Sequence, residues 1–170
     1  MPLVRRILGF TIALALGVLV SDSRYNIDVD GDGRTDFVTK ITSHGVSVFK
    51  DVDGQQIPIS TGTHYMTIEP ASHAETACRD GKAVLAYSRA EAAAIGESAW
   101  VNEVCDLPSV RYGPGVTDNP LGEADFAYLV VRLSDHGSTS VGWIRLEFGE
   151  VGLLMVVASG MGSPPNAVND

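Results

Sequence analysis

Apolar positions along this 170-residue chain fall into short runs and alternations, each cut off by Gly, Asp, Asn or Pro. No segment sustains a 3.6-residue apolar stripe over three turns, so the pattern predicts strands joined by turns. Strands are expected over Tyr25–Val29, Phe37–Ile41, Val46–Phe49, Gln56–Ile59, His64–Ile68, Ala83–Tyr87 and Trp100–Val104. Two longer ones follow, Phe126–Leu133 and Val141–Phe148, and then Leu153–Ala158. The longer pair is the most regular: Ala127, Leu129, Val131 and Leu133 share one face, as do Ile144, Leu146 and Phe148. Arg132, Arg145 and Glu147 then point to solvent, and the polar stretch SDHGSTS between the strands predicts a loose loop. Asp51-Val52-Asp53-Gly54 reads as a hairpin turn. The Ala-rich stretch Ser88–Glu97 is the one segment suited to a helix, and it is too short to stand without packing. Pro108–Gly122 reads as a loop and the last ten residues, 161–170, as a flexible tail. The expected fold is all-β, a single-domain antiparallel sandwich with one short Ala-rich helical segment.

The start of the chain is patterned differently. Arg5 and Arg6 precede the apolar run Ile7–Val20. At about 1.5 Å per helical residue, that run falls short of a ~30 Å hydrocarbon core. A short basic start and a short apolar middle predict a secretory signal peptide over residues 1–23, cleaved between Gly17 and Ser23, with the β domain over 24–160. An uncleaved N-terminal anchor is the alternative. Cleavage would leave no stable membrane span and place the protein outside the cell or in the periplasm.

Composition narrows the role. Twenty-one Asp and Glu oppose 12 Lys and Arg, a net charge of −9, which disfavours nucleic acid as a partner. Cleavage before Asp22 would remove Arg5 and Arg6 and take −9 to −11. Only two cysteines are present, Cys78 and Cys105. In an exported chain they are most simply one disulfide, two buried free thiols being the alternative.

One constellation carries chemistry. In Tyr25–Ile41, Asp28, Asp30, Asp32 and Asp36 occupy relative positions 1, 3, 5 and 9, with Gly33 at position 6 for the sharp turn. Calcium takes six to eight oxygens at about 2.3–2.6 Å, and this spacing lets one loop wrap carboxylates around a single ion. Arg34, at position 7, would add its backbone carbonyl. Mg²⁺ suits the loop less, since it prefers a smaller octahedral shell and retains water. Position 12 is Thr39 where an EF-hand requires Glu, and the flanks favour strands, so the loop joins two strands rather than two helices. A metal-free Asp/Gly turn is the competing reading.

The segment DVDGDGRTDF resembles the DxDxDGxxD calcium loop of integrin-type FG-GAP and bacterial VCBS repeats. That resemblance implies Asp28, Asp30, Asp32 and Asp36 as side-chain ligands and Arg34 as the backbone ligand. One complete copy is present, whereas a propeller needs several. A softer resemblance covers most of the chain. Secreted bacterial all-β proteins without an assigned reaction pair such a hairpin with a late YGWI-type strand, matched here by Ala127–Leu133 and by Val141-Gly142-Trp143-Ile144. It implies a secreted all-β domain and no activity.

Catalytic signals are weak. His44, His64, His73 and His136 show no paired metal spacing, although His64, Glu69, His73 and Glu75 lie close enough in sequence to meet around zinc. Gly96-Glu97-Ser98-Ala99-Trp100 begins like a nucleophile elbow and lacks its final Gly. Tyr25, Trp100, Tyr112 and Trp143 are candidates for a sugar-stacking surface. The expectation is therefore a non-enzymatic, calcium-binding module with a structural or binding role toward an unknown macromolecule or glycan. A lectin-like domain is the alternative, and an extracellular hydrolase ranks below both.

Overall fold

A computed structural model describes residues 17–115, 118–149 and 153–165. Eleven strands, one five-residue helix and one 3-10 turn make an all-β domain. The strands are β1 (Gly17–Ile27), β2 (Phe37–Val52), β3 (Gln55–Pro70), β4 (Ala74–Arg79), β5 (Lys82–Ala83), β6 (Leu85–Ala86), β7 (Trp100–Val101), β8 (Cys105–Tyr112), β9 (Phe126–Asp135), β10 (Ser138–Phe148) and β11 (Leu154–Met161). They form one continuous sheet, ordered β1-β2-β3-β8-β5-β4-β9-β10-β11, with β6 beside β9 and β7 beside β4. Every pairing is antiparallel except a single parallel bridge, Lys82↔Asp106, between β5 and β8. Two halves of this sheet face each other across one core, and β4 belongs to both.

Small residues make that junction possible. Ala74, Thr76, Ala77 and Cys78 on β4 are all buried. The core they cross joins Phe37, Met66, Ile68, Leu107 and Val110 of one half to Leu129, Val131, Ile144, Leu146 and Leu154 of the other. The inward faces expected for β9 and β10 are those observed, since Ala127, Leu129, Val131, Leu133, Ile144 and Leu146 are all core. Cys78 and Cys105 form a disulfide that ties β4 to β8.

Several strands are longer than the apolar pattern suggests. The four short strands expected between residues 37 and 68 are two 16-residue strands, paired from Phe37↔Pro70 to Val52↔Gln55. Their Thr, Ser and Gly residues read as interruptions yet sit in the ladder. The hairpin closes at Asp53-Gly54, where both residues have positive φ (54° and 83°), as a tight two-residue turn requires. Asp80-Gly81 closes β4–β5 in the same way. His136-Gly137 closes β9–β10, so the expected loose loop is instead a two-residue turn.

Pro108 lies within a strand, not at the start of a loop. The β3–β8 register shifts between His64 and Met66, and this bulge absorbs the missing N–H. In the Ala-rich stretch, α1 (Arg89–Ala93) is capped by Ser88, whose side chain accepts the Glu91 N–H, and the 3-10 turn Glu97–Ala99 follows. This segment covers the outer face of β9, where Val130 packs with Ala86, Ala92, Ile95 and Trp100. Arg132 is therefore not a free solvent-side charge. It stacks 4.1 Å over the Trp100 ring and forms a two-point ion pair with Glu97.

The expected signal region falls mainly on residues 1–16, outside the described residues, and β1 runs through the expected cleavage window at 17–23. Residues 162–165, expected as the start of a free tail, are held in place. Gly162 donates its N–H to Val141 O, Pro164 is buried, and Pro165 O accepts the Tyr128 hydroxyl. Residues 166–170 lie outside the described residues. No helix among the described residues is long and apolar enough to cross a membrane. The disulfide is compatible with an extracellular protein.

Candidate metal centre

The loop between β1 and β2 is built on its own acids. Asp28 Oδ1 accepts the Gly31 N–H at 2.7 Å, and Oδ2 accepts the Gly33 N–H at 2.8 Å. Asp30 Oδ1 accepts the Asp32 N–H, and Asp32 Oδ1 accepts the Arg34 N–H. Gly31 and Gly33 have φ of 80° and 87°, which an L side chain adopts only with strain. These bonds fold nine residues, 28–36, into a tight coil without helix or strand. The Gly33 N–H, foremost, holds the Asp28 carboxyl below its ordinary range, against a smaller opposing effect of desolvation.

Within this coil, carboxylate oxygens of Asp28, Asp30 and Asp36 lie within 4.8 Å of one another, and no other such His, Cys, Asp or Glu group occurs among the described residues. Asp28 and Asp30 face solvent, whereas Asp36 is 1% exposed. The convergent set is therefore three of the four acids expected. Asp32 lies outside it, capping Arg34 with a carboxylate oxygen 4.0 Å from the Arg34 guanidinium. Arg34 occupies the expected turn position, its N–H directed at Asp32.

Asp36 anchors the coil to the domain. Its Oδ2 accepts the Val29 N–H at 2.7 Å, and its Oδ1 lies 2.8 Å from His73 Nε2. Its backbone N–H donates to Ile27 O, and its carbonyl accepts the Ala71 N–H. The sequence marks His73 only as a remote zinc candidate. Its place beside Asp36 carries no spacing signal, because 37 residues separate the two. An imidazole there orients the carboxylate as an outer partner of a ligand would. The loop also reaches the far half of the sheet. Ser159 Oγ donates to Asp28 O, and Val29 packs where a side chain on Gly142 would otherwise stand.

The donor set suits a hard cation. All three convergent groups are carboxylates, and among the described residues no thiolate or imidazole joins the cluster, which favours calcium over zinc or copper. Four acids against Arg34 leave a local charge near −3 by formal count over residues 28–36, so mutual repulsion favours uptake of a divalent ion.

Other sequence candidates are dispersed. His64 lies 2.6 Å by Nδ1 from Ser43 Oγ and stacks on Tyr112, and burial lowers its pKa below the ordinary value. It does not meet Glu69, His73 and Glu75 in a ligand cluster. Ser98 sits within the 3-10 turn Glu97–Ala99. Among the aromatics, Trp100 lies under Arg132, Tyr112 lies over Gly45 and Gly62, Trp143 packs edge-on to Tyr128, and Tyr25 is exposed on β1. They make no common stacking row. Comparison of the chain with protein-family models, curated proteins and solved structures finds no match in any of the three.

Proposed function

We propose that this protein is a secreted or periplasmic calcium-binding β module in which the ion has a structural role and no reaction is catalysed. One observation carries the reading: Asp28, Asp30 and Asp36 bring carboxylate oxygens within 4.8 Å of one another on a loop between two antiparallel strands. Asp28, Asp30 and Asp36 would hold the ion, with loop carbonyls and water completing six to eight oxygens. Bound there, it would offset the repulsion of the loop acids. The apolar leader Ile7–Val20 and the Cys78–Cys105 disulfide support export.

The test is thermal melting of the protein in millimolar Ca²⁺ and in EGTA. Calcium is expected to raise the melting temperature, Mg²⁺ to raise it less, and Asp30→Ala to abolish the response. An unchanged melt in both buffers, with Asp30→Ala equally silent, overturns the reading.

A further inference from the structure

A second site lies inside the fold, apart from the acidic coil. Between the inner face of β1–β2–β3 and strand β11 is a pocket of about 360 Å³. Ile27, Ile41, Met66, Leu154 and Val156 make its wall apolar. Thr39 interrupts that wall. It is 0% exposed, it lines the pocket, and its Oγ1 has no hydrogen-bond partner among the described residues. A buried hydroxyl without a partner is costly. Thr39 is closed to solvent, so an occupant reaches Oγ1 only when the flexible Met66 side chain, which lines the same pocket, gives way.

The way in follows from topology. β1 and β11 are the two end strands of the folded sheet and share no backbone ladder. Tyr25 lines the pocket while 55% exposed, so it stands at the rim between interior and solvent. This is the arrangement of small-molecule sites generally, mainly apolar with few polar groups that set orientation.

Charge and size restrict the occupant. The adjoining coil begins at Asp28, the residue after Ile27, and stays net negative even with one divalent ion bound, which disfavours an anion. A cation would lose its hydration against aliphatic walls that offer no counter-charge. At the ~30 Å³ that a water occupies in the liquid, the space suits about a dozen non-hydrogen atoms. We propose that this pocket binds an uncharged, mainly apolar small molecule of that size carrying one hydroxyl group, which exchanges a hydrogen bond with Thr39 Oγ1. The pocket is lined by none of the convergent carboxylates, so it stands or falls apart from the metal reading.

Equilibrium dialysis of the full chain against three probes tests this: 2-naphthol, 2-methylnaphthalene and 2-naphthoate. The first two match in size and differ by the hydroxyl. Wild-type protein is expected to bind one equivalent of 2-naphthol about tenfold more tightly than 2-methylnaphthalene, the gain of one hydrogen bond to a buried group, and to bind 2-naphthoate weakest. Thr39→Val keeps the shape, removes the orphan hydroxyl, and should bind the two neutral probes equally. Val156→Phe narrows the pocket and should lose both, with a cooperative melt confirming that each variant folds. Absence of saturable uptake by folded wild type overturns the site. Uptake surviving Val156→Phe places binding elsewhere and also overturns it. Equal wild-type affinity for the two neutral probes, or a hydroxyl preference that persists in Thr39→Val, overturns the role of Thr39. Should either variant fail to fold, the wild-type ranking of the three probes still decides the proposal.

Discussion

Asp36 has two loads that substitution can separate. It is buried, it holds the Val29 N–H and faces His73, and it is also one of the three convergent carboxylates. Asp36→Ala strands a backbone donor in a residue that is itself 5% exposed. An unsatisfied buried donor costs roughly 1–3 kcal/mol. His73, with 22% of its side chain exposed, recovers part of its loss from water. The expected total is about 2–4 kcal/mol. Asp36→Asn keeps the shape instead. Its amide oxygen can accept the Val29 N–H and its amide nitrogen takes the place of Oδ1 toward His73, so the cost should stay near or below about 1 kcal/mol. What Asn lacks is the charge that a hard cation needs.

Calcium then reports on the second load. Extracellular modules bind calcium with Kd of about 10⁻⁴–10⁻³ M. At about 10 mM Ca²⁺ such a site stabilises the fold by roughly 1.4–2.7 kcal/mol, or about 3–10 °C in a domain this size. Scanning calorimetry in EGTA and in calcium separates the two effects. In EGTA, Asp36→Ala should melt well below wild type and Asp36→Asn within a few degrees of it. In calcium, only wild type should gain. A wild-type calcium shift in Asp36→Asn would refute the ligand role, and a wild-type melt of Asp36→Ala in EGTA would refute the structural one.

The remaining expectations concern the disulfide, a histidine and a glycine. Cys78 and Cys105 stand 27 residues apart, so Cys78→Ala/Cys105→Ala should lose about 3.6 kcal/mol by loop entropy, read as a lower urea midpoint; an unchanged midpoint contradicts the estimate. Burial depresses the His64 pKa, so the unfolded chain takes up the proton first as pH falls. Stability from this residue should be full above about 6.5 and decline as pH drops through the folded value, whereas His64→Gln should flatten that slope in melts across pH 5–8. A side chain at Gly142 would come within 2.9 Å of Val29 Cγ1 and 3.0 Å of Gly160 O. Gly142→Ala should cost about 1–3 kcal/mol and weaken the calcium shift without touching a ligand; an intact shift would show that the coil does not depend on β10.

The acidic coil was legible because its information is local. Asp spacing, Gly33 and β-like flanks lie within seventeen residues, and the structure turns them into a coil between β1 and β2. The disulfide followed from having only two cysteines. Long-range content was not legible. Gly45 and Gly62 look like breaks, yet they face each other across β2 and β3 beneath the Tyr112 ring, whose hydroxyl occupies the space that side chains would fill. Strand β4, Ala-Glu-Thr-Ala-Cys-Arg, has no large apolar residue to mark it, and its small side chains are what let two halves of a sheet cross there. In the sequence Thr39 stands out only as the wrong residue for an EF-hand. Its significance is the orphan hydroxyl beside a cavity, which depends on β11 more than a hundred residues away.

The coil and the pocket both sit where the folded sheet fails to close. End strands β1 and β11 meet without a ladder, so that seam lacks the cooperative hydrogen bonding of the interior strands. What crosses it is sparse: Ser159 to Asp28, Val29 against Gly142, and aliphatic contacts around the pocket. A ligand that requires the closed seam stabilises it by the same free energy with which the closed seam improves the ligand's binding. An ion in the coil would order Asp28 and, through its carbonyl, the contact to β11. A small molecule in the pocket adds apolar contact between the same two strands. Loss of either should therefore appear first as faster amide exchange along β1 and β11, with the β2–β3 and β9–β10 ladders still protected. Uniform loss of protection across the whole sheet would instead mean that the seam and the core open as one unit.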